Sequence, residues 1–118
     1  MKSYTTIEQS HKLAEILPLE SADMHSEAKD IDGDMVFIVV SGLGDKTKSN
    51  YGSPVWSLTA LLGVLPEGMI ESYYIPNLQK ENGKYSVAYG SDELLCTADN
   101  PVDACYEMIV KLHELNLL

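Results

Sequence analysis

Residues 78–89 read Leu78-Gln79-Lys80-Glu81-Asn82-Gly83-Lys84-Tyr85-Ser86-Val87-Ala88-Tyr89. Asn-Gly readily takes the two positive φ values of a tight two-residue turn, whose twist matches that of paired strands. The runs Met69 to Leu78 and Lys84 to Tyr89 on either side of Glu81-Asn82-Gly83 are rich in strand formers. An antiparallel hairpin is therefore expected. Ser91-Asp92 offers a further turn, and Leu94 to Thr97 a further short strand.

Downstream of the hairpin, Asn100 is a good helix N-cap, Pro101 fits the first helical position, and Asp103 favours the positive end of the helix dipole. Val102, Cys105, Met108, Ile109 and Leu112 then fall on one apolar arc, with Asp103, Glu107, Lys111 and Glu114 opposite. Upstream, Thr6 and Gln9 have the form of a capping box before Leu13, Ile16 and Leu17, and Pro18 ends that helix. Ser57 can cap a short helix in which Leu58, Leu61, Leu62 and Leu65 share a face, closed by Pro66 and Gly68. Met35-Val36-Phe37-Ile38-Val39-Val40 is apolar at both parities, the pattern of a strand covered on both sides or central in its sheet.

The order helix, strand, helix, hairpin, short strand, helix predicts one α+β domain over residues 1–118. In it, an antiparallel or mixed sheet of three to four strands carries about three packed helices. Regular strand-helix alternation, which a doubly wound sheet needs, is missing. Between the elements, residues 20–34 read as an exposed acidic connector, with Glu20, Asp23, Glu27, Asp30, Asp32 and Asp34 against Lys29 alone. Residues 41–53, with Gly42, Gly44, Lys46, Lys48 and Gly52, read as a flexible loop.

The 118 residues carry 18 acidic and eight basic side chains, a net charge of -10, and all eight basic residues are lysine. Without arginine there is no bidentate fork to read guanine edges, and an acidic surface releases no counterions from a polyanion. Direct binding to nucleic acid or to an anionic membrane is disfavoured. No apolar stretch resembles a signal peptide or a spanning helix, so a cytoplasmic location is expected, with Cys96 and Cys105 as thiols.

Catalytic motifs are not apparent. Cys105 with His113 is the best nucleophile and base pair available, yet Cys105 lies at the centre of the apolar arc, where a thiol behaves as a buried hydrophobe. Cys96 sits on the expected short strand, and His11 and His25 fall on polar stretches where solvation is the ordinary state. Asp30-Ile31-Asp32-Gly33-Asp34 has the look of a calcium loop, but Met35 and Ser41 stand where the EF-hand needs Gly and Glu. Zinc spacing is missing as well, and neither a metal nor a cofactor is expected. Gly42-Leu43-Gly44-Asp45-Lys46-Thr47 lacks the third glycine of a dinucleotide fingerprint.

Seven tyrosines stand against one Phe and one Trp. Tyrosine suits partner surfaces because it buries area while keeping a polar tip, and Trp56, Tyr73 and Tyr74 are the candidate contact residues. The segments 54–66 and 100–115, with Thr5-Thr6-Ile7-Glu8-Gln9-Ser10, Leu13-Ala14 and Ser21-Ala22-Asp23-Met24, resemble an uncharacterised family of short proteins from anaerobic gut bacteria and their phages or mobile elements. The resemblance implies one compact bacterial domain and transfers no site residues. Together these readings point to a non-enzymatic binding or accessory protein that meets a protein partner or itself. An acidic inhibitor mimicking nucleic acid toward a protein, built on the 20–34 acids, is the alternative.

Overall fold

The structure, a computed structural model, describes residues 2–67, 76–90 and 94–118. The described elements are α1 (Ile7–Ile16), a 3-10 turn (Leu19–Ser21), β1 (Met24–Ile31), β2 (Asp34–Ser41), β3 (Tyr51–Val55), α2 (Leu58–Val64), β4 (Asn77–Glu81), β5 (Lys84–Ala88), β6 (Leu95–Ala98) and α3 (Pro101–Glu114). The class is α+β with three helices. The strands divide into two three-stranded sheets, ordered β2-β1-β3 and β4-β5-β6, and every pairing among them is antiparallel.

Local signals place the helices. Thr6 and Gln9 close the capping box reciprocally, and Ser57 and Asn100 cap α2 and α3 with side-chain oxygens. Each such cap satisfies a helix-end N–H that otherwise has no partner, worth about 1 kcal/mol. Asn82-Gly83 turns with φ values of 52° and 77° between β4 and β5. Asp32-Gly33 turns the same way, at 54° and 87°, between β1 and β2.

This second hairpin corrects the reading of residues 20–34 as a connector. Eight of those residues form β1, which carries Glu27, Lys29 and Asp30 and pairs along the whole of β2. Likewise Tyr51, Gly52 and Ser53, read as loop, belong to β3. β2 is not a central or doubly covered strand but the edge of its sheet, and Met35, Val36 and Phe37 are exposed on it. On α2, Leu61 and Leu65 are buried while Leu62 faces out, because the helix is too short to cover its whole leucine face.

The core lies around α3. Val102, Ala104, Cys105, Met108, Ile109 and Leu112 are fully buried on that helix. They pack with Leu13 and Leu17 beside α1, Leu61 and Leu65 around α2, and Val87 and Tyr89 at β5. Trp56 completes this cluster, its Nε1–H donating to the Ser21 hydroxyl at 3.0 Å. β1 and β2 contribute nothing to it. The hairpin they form is an arm joined to the core through β3 and α1, and the molecule extends 51 × 31 × 20 Å.

Polar ties close the core at its ends. Asp103 accepts from Lys2 Nζ at 2.6 Å, from Gln9 Nε2 at 2.8 Å and from Asn100 Nδ2 at 2.8 Å. Burial alone raises the Asp103 carboxyl, but these donors outweigh it and hold it below the usual carboxylate range. Thr5 N–H bonds the Trp56 carbonyl, and the Thr5 hydroxyl receives the Trp56 N–H.

The separation of arm from core has a measurable consequence. Leu112→Ala is expected to lower the unfolding free energy by about 2–5 kcal/mol. Phe37→Ala, on the arm, is expected to change it by about 1 kcal/mol or less, as for a surface site. Urea unfolding of the two variants checks both.

Candidate functional site

The register of the β1–β2 hairpin sorts its side chains onto two faces. Met35, Phe37 and Val39 stand opposite Asp30, Ala28 and Ser26 on one face. Val36, Ile38 and Val40 stand opposite Lys29, Glu27 and His25 on the other. Met35 is 69% exposed and Phe37 59% on the same face of the edge strand β2, while Ile31, 50% exposed, lies on β1 and the other face. Single exposed apolar residues are ordinary; two large ones side by side on an edge strand are not. Beside Phe37 a notch of about 160 Å³ opens against α1, lined by Ile7, His11, Ser26, Gly52 and Ser53 as well.

The base of the arm is held rigidly. A bulge interrupts the β1–β3 ladder at Ser26, whose hydroxyl receives the Ser53 N–H at 2.9 Å in compensation. His25, 3% exposed, is not solvated: its ring stacks on Tyr51 with centroids 5.8 Å apart. Its Nδ1–H donates to the Gly42 carbonyl at 2.7 Å, and its Nε2 lies 2.6 Å from a Glu27 carboxylate oxygen. With Nδ1 committed as a donor, Nε2 carries a hydrogen only in the imidazolium form. The Glu27 hydrogen bond first, and the Gly42 carbonyl second, raise the His25 pKa above 6.5 against the cost of burial. Gly44 crosses this ring so closely that a Cβ there would lie 2.6 Å from it. His25 thus latches the start of the loop 42–50 onto β1, beside the backbone bonds Gly42 N–H to Asp23 C=O and Ala28 N–H to Asn50 C=O.

The other residues singled out from the sequence have specific positions. Among the acids of 20–34, Asp23 accepts from the Ser57 N–H and hydroxyl, Glu27 from His25, and Asp30 from the Gly33 N–H in the turn. Asp32 and Asp34 sit at the arm's tip, and Glu20 lies in the 3-10 turn. Asp30, Asp32 and Asp34 thus gather at the tip, the other three are spread toward the base and the 3-10 turn, and several are occupied by structural bonds. Trp56 is a correction: at 0% exposure it is a core side chain and offers nothing to a partner. Tyr73 and Tyr74 lie outside the described residues.

In the exposed Gly/Lys loop the Thr47 N–H and hydroxyl both donate to Asp45, at 2.9 and 2.6 Å. These bonds hold the Asp45 carboxyl below its ordinary value. Cys105 is fully buried, and burial pushes its thiol up to about 11. His113 is exposed, its ring facing the Leu118 carbonyl at 3.3 Å. A broad polar groove of about 530 Å³ runs between β6 and α3 past Cys96, Asp99 and Glu107. Its charges are largely satisfied: Lys84 pairs with Asp99, and Asp103 holds its three donors. Burial raises the Cys96 thiol as well, so neither cysteine is poised as a thiolate.

Among the described residues, no three or more His, Cys, Asp or Glu side chains are grouped to hold a metal, and no helix is long and apolar enough to cross a membrane. No protein-family model, curated protein or solved structure matches the chain. The arm is what sequence reasoning missed, and the signal was present: Asp32-Gly33 is the same kind of hairpin turn as Asn82-Gly83.

Two outcomes are expected. In an NMR titration His25 titrates above 6.5, and Glu27→Gln returns its midpoint toward that value. Because the folded pKa exceeds the unfolded one, the latch contributes fully below pH 6.5 and is lost as pH rises through the raised value. The stability gap between the native chain and His25→Gln should narrow over that window in urea titrations. Cys105, in turn, should resist a thiol reagent until denaturant unfolds the chain, and rapid native-state modification would contradict its burial.

Proposed function

We propose that the protein is a small non-enzymatic binding domain whose contact surface is the arm formed by β1 and β2. One observation carries the reading: Met35 and Phe37 are 69% and 59% exposed on an edge strand that has no charge after Asp34 and takes no part in the core. Such an edge is a template for strand addition, and folded proteins usually guard it with lysine, proline or a bulge. Between Asp34 and Ser41 the edge has no charged residue and no proline, and the bulge of this sheet lies on the β3 side. A ladder of backbone bonds would supply affinity, and the pockets beside Phe37 would supply selectivity. The reading places recognition on protein rather than nucleic acid, since the surface is apolar and the chain carries -10.

Spread of the 20–34 acids from the tip to the 3-10 turn removes support from a nucleic-acid mimic, which needs them on one face. Burial of Cys105 likewise gives a thiol enzyme little to stand on.

The test is affinity capture and chemical cross-linking in the native host, with Phe37→Lys and Met35→Lys as arm variants. The native chain should be recovered in a complex, with itself or another protein, and each arm variant should lose it. A native chain that is strictly monomeric and recovers no partner refutes the proposal, as does a complex indifferent to both substitutions.

A further inference from the structure

The direction of the β2 backbone groups is fixed by the hairpin. Asp32-Gly33 makes Ile31 and Asp34 the closing hydrogen-bonded pair, so Asp34, Val36, Ile38 and Val40 bond to β1. The Gly42 N–H, 2.8 Å from the Asp23 carbonyl, continues that series. Met35, Phe37, Val39 and Ser41 therefore turn N–H and C=O together toward the open edge. These are also the residues whose side chains fill the face with the notch.

We propose that the occupant of this edge is a second copy of the chain, its β2 antiparallel to the first about a twofold axis through Phe37, giving one six-stranded sheet across two molecules. The inference rests on the arm being the contact surface. Self-pairing fits for three reasons. A twofold axis perpendicular to the sheet keeps each face continuous, so side chains of like parity meet: Phe37 meets Phe37, Met35 meets Val39, and Val36 meets Ile38. Every one of these pairs is apolar. The charges also favour this direction, since the tip, residues 29–34, has three aspartates against one lysine, and the loop 42–50 at the base has two lysines against one aspartate. Antiparallel pairing places each acidic tip beside the partner's base and sets the two tips at opposite ends, whereas parallel pairing would bring them together. The third reason is the anchoring of the base, where the His25–Gly42 bond ties the end of β2 to β1 and the Ser26–Ser53 bond ties β1 to β3, so the sheet needs no partner to hold its geometry.

Sedimentation analysis of the full chain tests the proposal, with Phe37→Lys as the edge-blocking variant and Gln79→Lys on β4 as a control. The native chain and the control should run at twice the mass of one chain, and Phe37→Lys at one. A second measurement reads the register without relying on that variant. In a Cys96→Ser background, Met35→Cys and Val39→Cys should form a disulfide-linked dimer when mixed, and neither should do so alone at comparable rate. A monomer at every concentration overturns the inference, and so does a dimer that Phe37→Lys leaves intact or that lacks the mixed cross-link. If the chain is monomeric yet holds a different protein in a Phe37-dependent way, this inference fails while the arm remains the contact surface.

Discussion

One apolar arc on one helix has to be kept from water, and most of the molecule is arranged to do so. Val102, Cys105, Met108, Ile109 and Leu112 are all at 0% exposure on α3. Burying each side chain of this size contributes about 1.5–3 kcal/mol for the larger ones. Covering the arc takes both other helices, the β5–β6 strands and the lone tryptophan. Nothing in β1 or β2 helps cover it. The chain completes its core without the 18-residue hairpin of β1 and β2, two well-paired strands of eight residues each.

The parts legible in the sequence are those set by local chemistry. Thr6 and Gln9, Ser57, Asn100 with Pro101, and Asn82-Gly83 each specify a cap or turn within four residues, and each stands where its local signal puts it. The arc on α3 was equally plain, because a period of 3.6 needs no knowledge of the partner. The arm was obscured for two physical reasons. Six acids in residues 20–34 suggest solvent, but a strand projecting beyond the core can carry charge, as Glu27, Lys29 and Asp30 do here, while its backbone pairs with β2 along its length. Met35 to Val40 suggests burial, yet whether a strand is central or at the edge is a property of the whole topology, not of its own residues. Of the candidate site, the acids were named singly but not the hairpin that arranges them. His25 and Phe37 emerge only from the register.

The arm and the core meet through a narrow set of interactions. β3 carries the Ser26–Ser53 bonds on one side and leads into Trp56 on the other, and Asp23 reaches across to cap residue Ser57. The His25 latch ties the β2–β3 loop to the same place. The junction at Trp56 and α2 is itself part of the cluster that covers α3, so the arm is tied to the core through residues that α3 also packs against.

The bond between Lys2 and Asp103 joins residues 101 positions apart. While the chain is being synthesised, Lys2 and Gln9 cannot bond Asp103 until α3 emerges, and contacts of this sequence separation make folding slow. During that interval Met35 to Val40 is available to neighbouring chains as an aggregation-prone strand. The aspartates before it and the lysines after it then act as gatekeepers, flanking the strand with charge that discourages indiscriminate stacking.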